Sequence, residues 1–221
     1  MKTQINRQEI TIRLEQESDY RIVEELTREA FWNVYKPGCD EHYLAHVMRS
    51  HPDFIPELTF VAEYEGKIVA SIMYMKSWLE DDNGSRRETL SFGPIAVHPD
   101  YQRMGLGKLM MEHSFAEAKK LGYEAVVIFG NPENYVSSGF KSCIRYNVSL
   151  DGNYFPAPLF VHELKEGALD GTHYVYRESD VVTLLDEAKT EEFDRTFKPK
   201  EKAWMPSQEK FFVYSHSSVH E

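Results

Sequence analysis

The stretch Arg103-Met104-Gly105-Leu106-Gly107-Lys108 has the residue types and spacing to bind an anion. Two glycines straddle one residue, and a cation stands at each end. The stretch follows an apolar strand predicted over Leu90 to Val97 and opens a helix predicted over Lys108 to Leu121. Glycine lets the backbone curl there and lets a ligand approach without a Cβ in the way. The free N–H groups of a helix start, with the positive end of the dipole behind them, then form a receptor for phosphate. Arg103 and Lys108 add full charge to it. Two nucleotide motifs fail at this point. A Walker A loop needs glycine where Gln102 stands and Ser or Thr where Leu109 stands, and a dinucleotide fingerprint needs glycine in place of Met110.

A second signal lies downstream. The β-rich run Ala125-Val126-Val127-Ile128-Phe129 leads into Gly130-Asn131-Pro132-Glu133-Asn134-Tyr135, and Gly139-Phe140 follows. Together, Gln102-Arg103-x-Gly105-x-Gly107 and Tyr135-x-x-x-Gly139-Phe140 resemble the signatures of the GNAT superfamily of N-acetyltransferases. Ile95-Ala96-Val97-His98-Pro99 is similar to what that family carries upstream. The resemblance covers roughly residues 10 to 150, and its specific part is 90 to 140.

The resemblance implies acetyl-CoA as cosubstrate and no metal. Its pyrophosphate would lie on Arg103, Met104, Gly105, Leu106, Gly107 and Lys108, and its pantetheine along Ile95, Ala96 and Val97, paired as an added strand would be. Tyr135 would be the acid that protonates the leaving thiolate. Gly93-Pro94 reads as a β-bulge that aims an N–H at the thioester oxygen. The acceptor would be a primary amine of a small molecule or protein. Its proton acceptor stays open among Glu133, Glu88 and Ser91. Phe31, Trp32 and Tyr35 either line the acceptor pocket or pack in the core. A non-catalytic acyl-CoA sensor is the alternative function, and an interaction protein with a decayed site is a third.

Bulk properties bound these readings. With 221 residues, 42% hydrophobic and 28% charged, the chain has the composition of a soluble globular protein. No run approaches the ~18 apolar residues of a membrane helix. Met1 to Arg13 lacks the apolar core of a signal peptide, and two cysteines make no disulfide framework, so a cytoplasmic protein is expected. The net charge of -11 argues against nucleic acid and favours a cationic substrate. Cys39-x-x-His42-x-x-x-His46 lacks the second ligand pair of a zinc site.

The elements that must hold these residues alternate in type. Ile10 to Leu14 reads as a strand, and the helix after it is capped by Ser18 or Asp19 and stopped by Pro37-Gly38. A short helix follows over Asp40 to Arg49, then strands over Leu58 to Tyr64, Lys67 to Trp78 and Arg87 to Val97. After the motif helix and Ala125 to Phe129 come a short helix over Glu133 to Ser138 and a strand near Ser142 to Leu150. The fold class is α/β (α+β): a mixed, mostly antiparallel central sheet flanked by helices, which the resemblance makes a GNAT fold. Residues 1–150 form that domain and residues 151–221 a C-terminal extension packed on it, with an edge strand over Thr172 to Arg177 and a helix over Asp186 to Phe193. The aromatic end of the extension, Trp204, Phe211, Phe212 and Tyr214, needs cover from the core or from a homodimer partner.

Overall fold

A computed structural model describes residues 9–220. Residues 1–8, the first part of the stretch read for a signal peptide, lie outside the described residues. Among the described residues the strands are β1 (Thr11–Leu14), β2 (Phe60–Tyr64), β3 (Lys67–Asp81), β4 (Arg86–Val97), β5 (Ala125–Phe129), β6 (Lys141–Ser142), β7 (Val148–Ser149), β8 (Leu159–Glu163) and β9 (Tyr174–Arg177). The helices are α1 (Tyr20–Phe31), α2 (Glu41–Met48), α3 (Leu106–Lys120), α4 (Pro132–Tyr135), α5 (Glu187–Asp194) and α6 (Pro206–Ser215).

The strands join in one mixed sheet with the order β1-β2-β3-β4-β5-β8-β6, and β9 pairs with β3 and β7. All pairings are antiparallel except β4 with β5 and β7 with β9. Side chains alternate across the sheet, so each strand feeds two cores. Ile72, Tyr74, Leu90, Phe92, Val126 and Ile128 face α3, which buries Leu106, Met110, Met111, Phe115 and Ala118 on one stripe. The Tyr74 hydroxyl meets Ser114 Oγ of α3 at 2.8 Å. On the opposite face Met73 and Met75 pack on Ala45 and Met48 of α2. β3 is therefore covered on both sides, which explains its nearly unbroken apolar run from Val69 to Met75.

The sheet does not stop at residue 150. β8 lies between β5 and β6, and β9 adds to the far end of β3, where Tyr176 packs on Leu79, Val127 and Leu159. Charges then clamp the following segment to α1. Arg28 Nε meets Asp194 Oδ1 at 2.6 Å, Lys200 Nζ meets Glu29 at 2.8 Å, and Trp32 Nε1 donates to the Glu201 carbonyl at 2.8 Å.

Several local expectations are corrected. α3 begins at Leu106, two residues before the expected Lys108, so Gly107 is inside the helix rather than before it. The strand expected over Ser142 to Leu150 is broken by a 3-10 turn over Cys143–Tyr146, which Asn147 ends at φ 53°. α1 stops at Phe31, ahead of Pro37-Gly38. Asp19 stands at its N-cap, but its carboxylate is bound to Arg13 at 2.5 Å instead of capping the helix.

Candidate functional site

β4 and β5 touch in register only at Leu90 and Val126, and then part. Past that point β4 still pairs with β3 through Ile95, Ala96 and Val97, but its other edge has no partner strand. Just upstream, Ile72 pairs with Ile95 and Tyr74 with Phe92, so Met73 alone opposes Gly93 and Pro94. This is the bulge expected from the sequence. The Gly93-Pro94 peptide is cis.

The chain leaves β4 through a short turn and enters α3 at Gly105, which takes φ 86°. That left-handed conformation favours glycine. Arg103 also has positive φ, at 64°, and is exposed. No side chain caps α3, so its first N–H groups are left for a ligand. Gln102 Nε2 donates to the Val97 carbonyl at 3.1 Å and ties the turn to the end of β4. Leu106 is buried, and Met104 and Gly107 are half-buried. A Cβ on Gly107 would meet only Ile95 Cδ1 at 3.9 Å and Val97 Cγ2 at 4.0 Å, ordinary contacts. A side chain would therefore fit there against the protein's own atoms. Lys108 points to solvent, 3.7 Å from Glu112. Ile95 and Val97 are half-buried against the α3 core, and Ala96 is buried.

Tyr135 ends α4 beyond the mouth of β5. Asn131 caps that turn by accepting from the Glu133 N–H at 3.0 Å, and Gly139 at φ 91° closes it. The ring lies between Phe92 and Phe140, with centroids at 5.9 and 5.7 Å. It also fills the space in which a Cβ of Gly130 would stand, so Gly130 permits its position. Its hydroxyl has no protein partner among the described residues. Burial, and then the nearby Tyr35 phenol, push its pKa above the ordinary phenol value.

Of the aromatics at the end of α1, two face this region and one does not. Phe31 and Tyr35 lie 5.9 Å apart, and Tyr35 meets Phe211 of α6 at 4.7 Å. Trp32 turns away to hold Arg28 and the Glu201 carbonyl. Glu88 shares a sheet face with Leu90, and accepts from the Tyr123 hydroxyl at 2.9 Å, away from α2. Glu133 is exposed, and Ser91 lies on the α2 side.

The Acetyltransferase (GNAT) family model matches residues 21–140, more than half of the chain. This chain belongs to the GNAT family. The uncharacterized N-acetyltransferase YjhQ of Escherichia coli is 30% identical to it over 88 residues, 40% of this chain and 48% of that protein. The uncharacterized N-acetyltransferase YhbS of E. coli is 26% identical over 107 residues, 48% of this chain and 62% of that one. The chain thus spans less than two thirds of the length of both relatives. Among solved structures, YhbS of E. coli in complex with CoA aligns at TM-score 0.68 and 22% identity, covering 79% of this chain and 92% of that one. A GNAT acetyltransferase from Brucella melitensis in complex with acetyl-CoA aligns at 0.61 and 18%, covering 78% and 97%. These likenesses show a shared fold.

Two further clusters in this GNAT chain look like catalytic relays, and burial explains both as structural. Cys39 Sγ meets His42 Nδ1 at 3.3 Å, and His42 Nε2 faces Asp194 at 3.2 Å. Asp194 is already bound to Arg28, and burial pushes the Cys39 thiol up, away from thiolate. His46 turns instead to Glu24 at 2.9 Å, so the two histidines do not converge. Ser149 Oγ meets His173 Nε2 at 2.9 Å, and His173 Nδ1 meets Asp82 at 2.7 Å. Ser149 is fully buried where β7 joins β9, so the relay ties that edge to the β3–β4 turn. No described helix is long and apolar enough to cross a membrane.

Proposed function

We propose that this chain is an acetyl-CoA-dependent N-acetyltransferase that passes the acetyl group to a primary amine by direct attack. One observation carries the reading: the free edge of β4 runs from the uncapped start of α3 to the parting from β5, and the unpartnered hydroxyl of Tyr135 stands beyond that parting. The N–H groups around Gly105, Leu106 and Gly107 suit a pyrophosphate, with Arg103 and Lys108 supplying charge from the rim. The edge of Ile95, Ala96 and Val97 suits the pantetheine amides, which supply the pairing that β5 does not.

In the reaction the lone pair of a neutral amine attacks the thioester carbon. An N–H released from the ladder by the Gly93-Pro94 bulge stabilises the negative oxygen. The C–S bond then breaks, the Tyr135 hydroxyl gives its proton to the sulfur as the thiolate leaves, and the proton that the attacking nitrogen sheds on becoming an amide restores the phenol through solvent. A phenol keeps its proton at neutral pH, so Tyr135 has one to give to the sulfur. The net charge of -11 favours the approach of an ammonium acceptor, whether a small amine or a protein amino group. The test is release of CoA from acetyl-CoA across a panel of alkyl, aromatic and peptide amines. Tight binding of acetyl-CoA without release on any amine would instead favour a CoA sensor.

A further inference from the structure

We infer that Glu41, on the sheet-facing stripe of α2, takes the proton from the acceptor amine, and that α6 of the C-terminal segment walls the pocket in which it does so. This rests on the transfer reading above.

Glu41, Ala45 and Met48 are spaced i, i+4 and i+7, so they share one face of α2. Ala45 and Met48 pack on Met73 and Met75. Met73 is the residue opposite the Gly93-Pro94 bulge. The same stripe therefore turns the Glu41 carboxylate toward the sheet on the face where the bulge breaks the ladder. Glu41 makes no ion pair among the described residues; its half-buried carboxylate accepts from the Asp40 N–H at 3.1 Å and from its own backbone N–H at the start of α2. With no cation beside it, the carboxylate is free to meet one from outside the protein.

The surroundings of Glu41 suit a proton acceptor. Burial raises its pKa to about 7 against hydrogen bonds from the backbone N–H groups of Glu41 and Asp40, while the charges of Asp40 and Lys36 act in opposite directions. Its charge acts on Tyr35 and Cys39. On the sheet face beneath α2, Met73, Met75 and Ser91 carry no charge, and the buried charges of α1 and α5 are paired, Arg28 with Asp194 at 2.6 Å and Glu24 with Arg49 at 2.9 Å. A carboxylate balanced near neutrality can hold an ammonium and then remove its proton. Tyr35 feels the charge of Glu41 and acts in turn on Tyr135.

The wall comes from residues far along the chain. Phe211 and Tyr214 are three apart on α6 and share a face. Phe211 lies on Tyr35 at 4.7 Å, and the Tyr214 hydroxyl donates to the Gly130 carbonyl at 2.8 Å, beside the Tyr135 ring. One face of α6 thus spans from the end of α1 to the end of β5. Phe211 and Phe129 stay 43% and 40% exposed, leaving aromatic surface for a bound amine.

The test compares wild type with Glu41→Gln at pH 9 on two acceptors: n-butylamine, which arrives as ammonium, and hydrazine, which is largely neutral at that pH. Acetyl-CoA affinity is measured in parallel to report the fold and the donor site. Turnover of n-butylamine is expected to fall by about a hundredfold or more, and that of hydrazine by less than about tenfold, with acetyl-CoA affinity unchanged. Equal losses on both acceptors, or no loss on n-butylamine, would overturn the role of Glu41 and leave the transfer reading standing. Wild-type protein that binds acetyl-CoA but acetylates neither acceptor would overturn the transfer reading, and the role of Glu41 with it. Phe211→Ala is expected to raise the n-butylamine KM with acetyl-CoA affinity unchanged, and an unchanged KM would remove α6 from the pocket.

Discussion

The donor side and the acceptor side of this molecule are built in opposite ways. The donor side is local: the β4 edge, the turn and the start of α3 occupy one run from Ile95 to Lys108, and their ligand groups are mainly backbone N–H and C=O. The acceptor side is assembled from distant pieces. Tyr35 and Glu41 come from the α1–α2 region, Tyr135 from α4 and Phe211 from α6. A backbone cradle constrains sequence through glycine and spacing, whereas a side-chain pocket constrains it only through a fold that brings its parts together. A family can therefore keep one donor while its members take different acceptors.

Substitutions can break this contrast or sharpen it. The largest effect is expected at Gly107. Gly107→Val should lower acetyl-CoA affinity more than about a hundredfold, or about 2.7 kcal/mol, because the side chain fills the anion's place. The fold should stay intact, since the first added carbon meets nothing closer than 3.9 Å. Titration calorimetry with a circular dichroism control checks it, and intact affinity would sink the cradle. Tyr135→Phe should cost about ten-fold to several hundred-fold in kcat with acetyl-CoA affinity unchanged, measured by CoA release. Unchanged turnover would remove Tyr135 from the chemistry.

Smaller effects separate the wall from the rim. Phe211→Ala should raise acceptor KM by roughly threefold to tenfold through lost aromatic contact, about 1 kcal/mol, and leave donor binding alone. Steady-state kinetics with each substrate varied in turn would show the split. Lys108→Ala should weaken acetyl-CoA by no more than about threefold, because an exposed cation near Glu112 adds little beyond screened attraction. A much larger loss would mean that the cradle depends on side-chain charge rather than on backbone.

How much was legible in the sequence follows the same division. Gly105 and Gly107 could be read because a left-handed turn and a close approach each leave a glycine behind. The bulge could be read because Gly-Pro in a strand has few other uses. The strand expected over Ser142 to Leu150 misled because its apolar residues, Cys143 and Val148, are buried from a turn as well as from a strand. Cys39, His42 and His46 drew notice as metal ligands, while Glu41 between them, the base proposed here, did not. Its signal, the spacing to Ala45 and Met48, was visible, but not that this stripe lies opposite the bulge. Residues 151–221 were legible only in part: the strand expected over Thr172 to Arg177 and the helix over Asp186 to Phe193 lie close to β9 and α5, whereas β8 is five residues long and is set by its distant partners β5 and β6.

By itself, then, the sequence determined the family, and with it the donor proposed here, because helix start, glycine placement and strand edge are set by neighbours along the chain. Only the tertiary structure decided which aromatic covers Tyr35 and that His42 and His173 meet the buried Cys39 and Ser149. Those properties depend on long-range packing and on exclusion from water, and no local spacing encodes them.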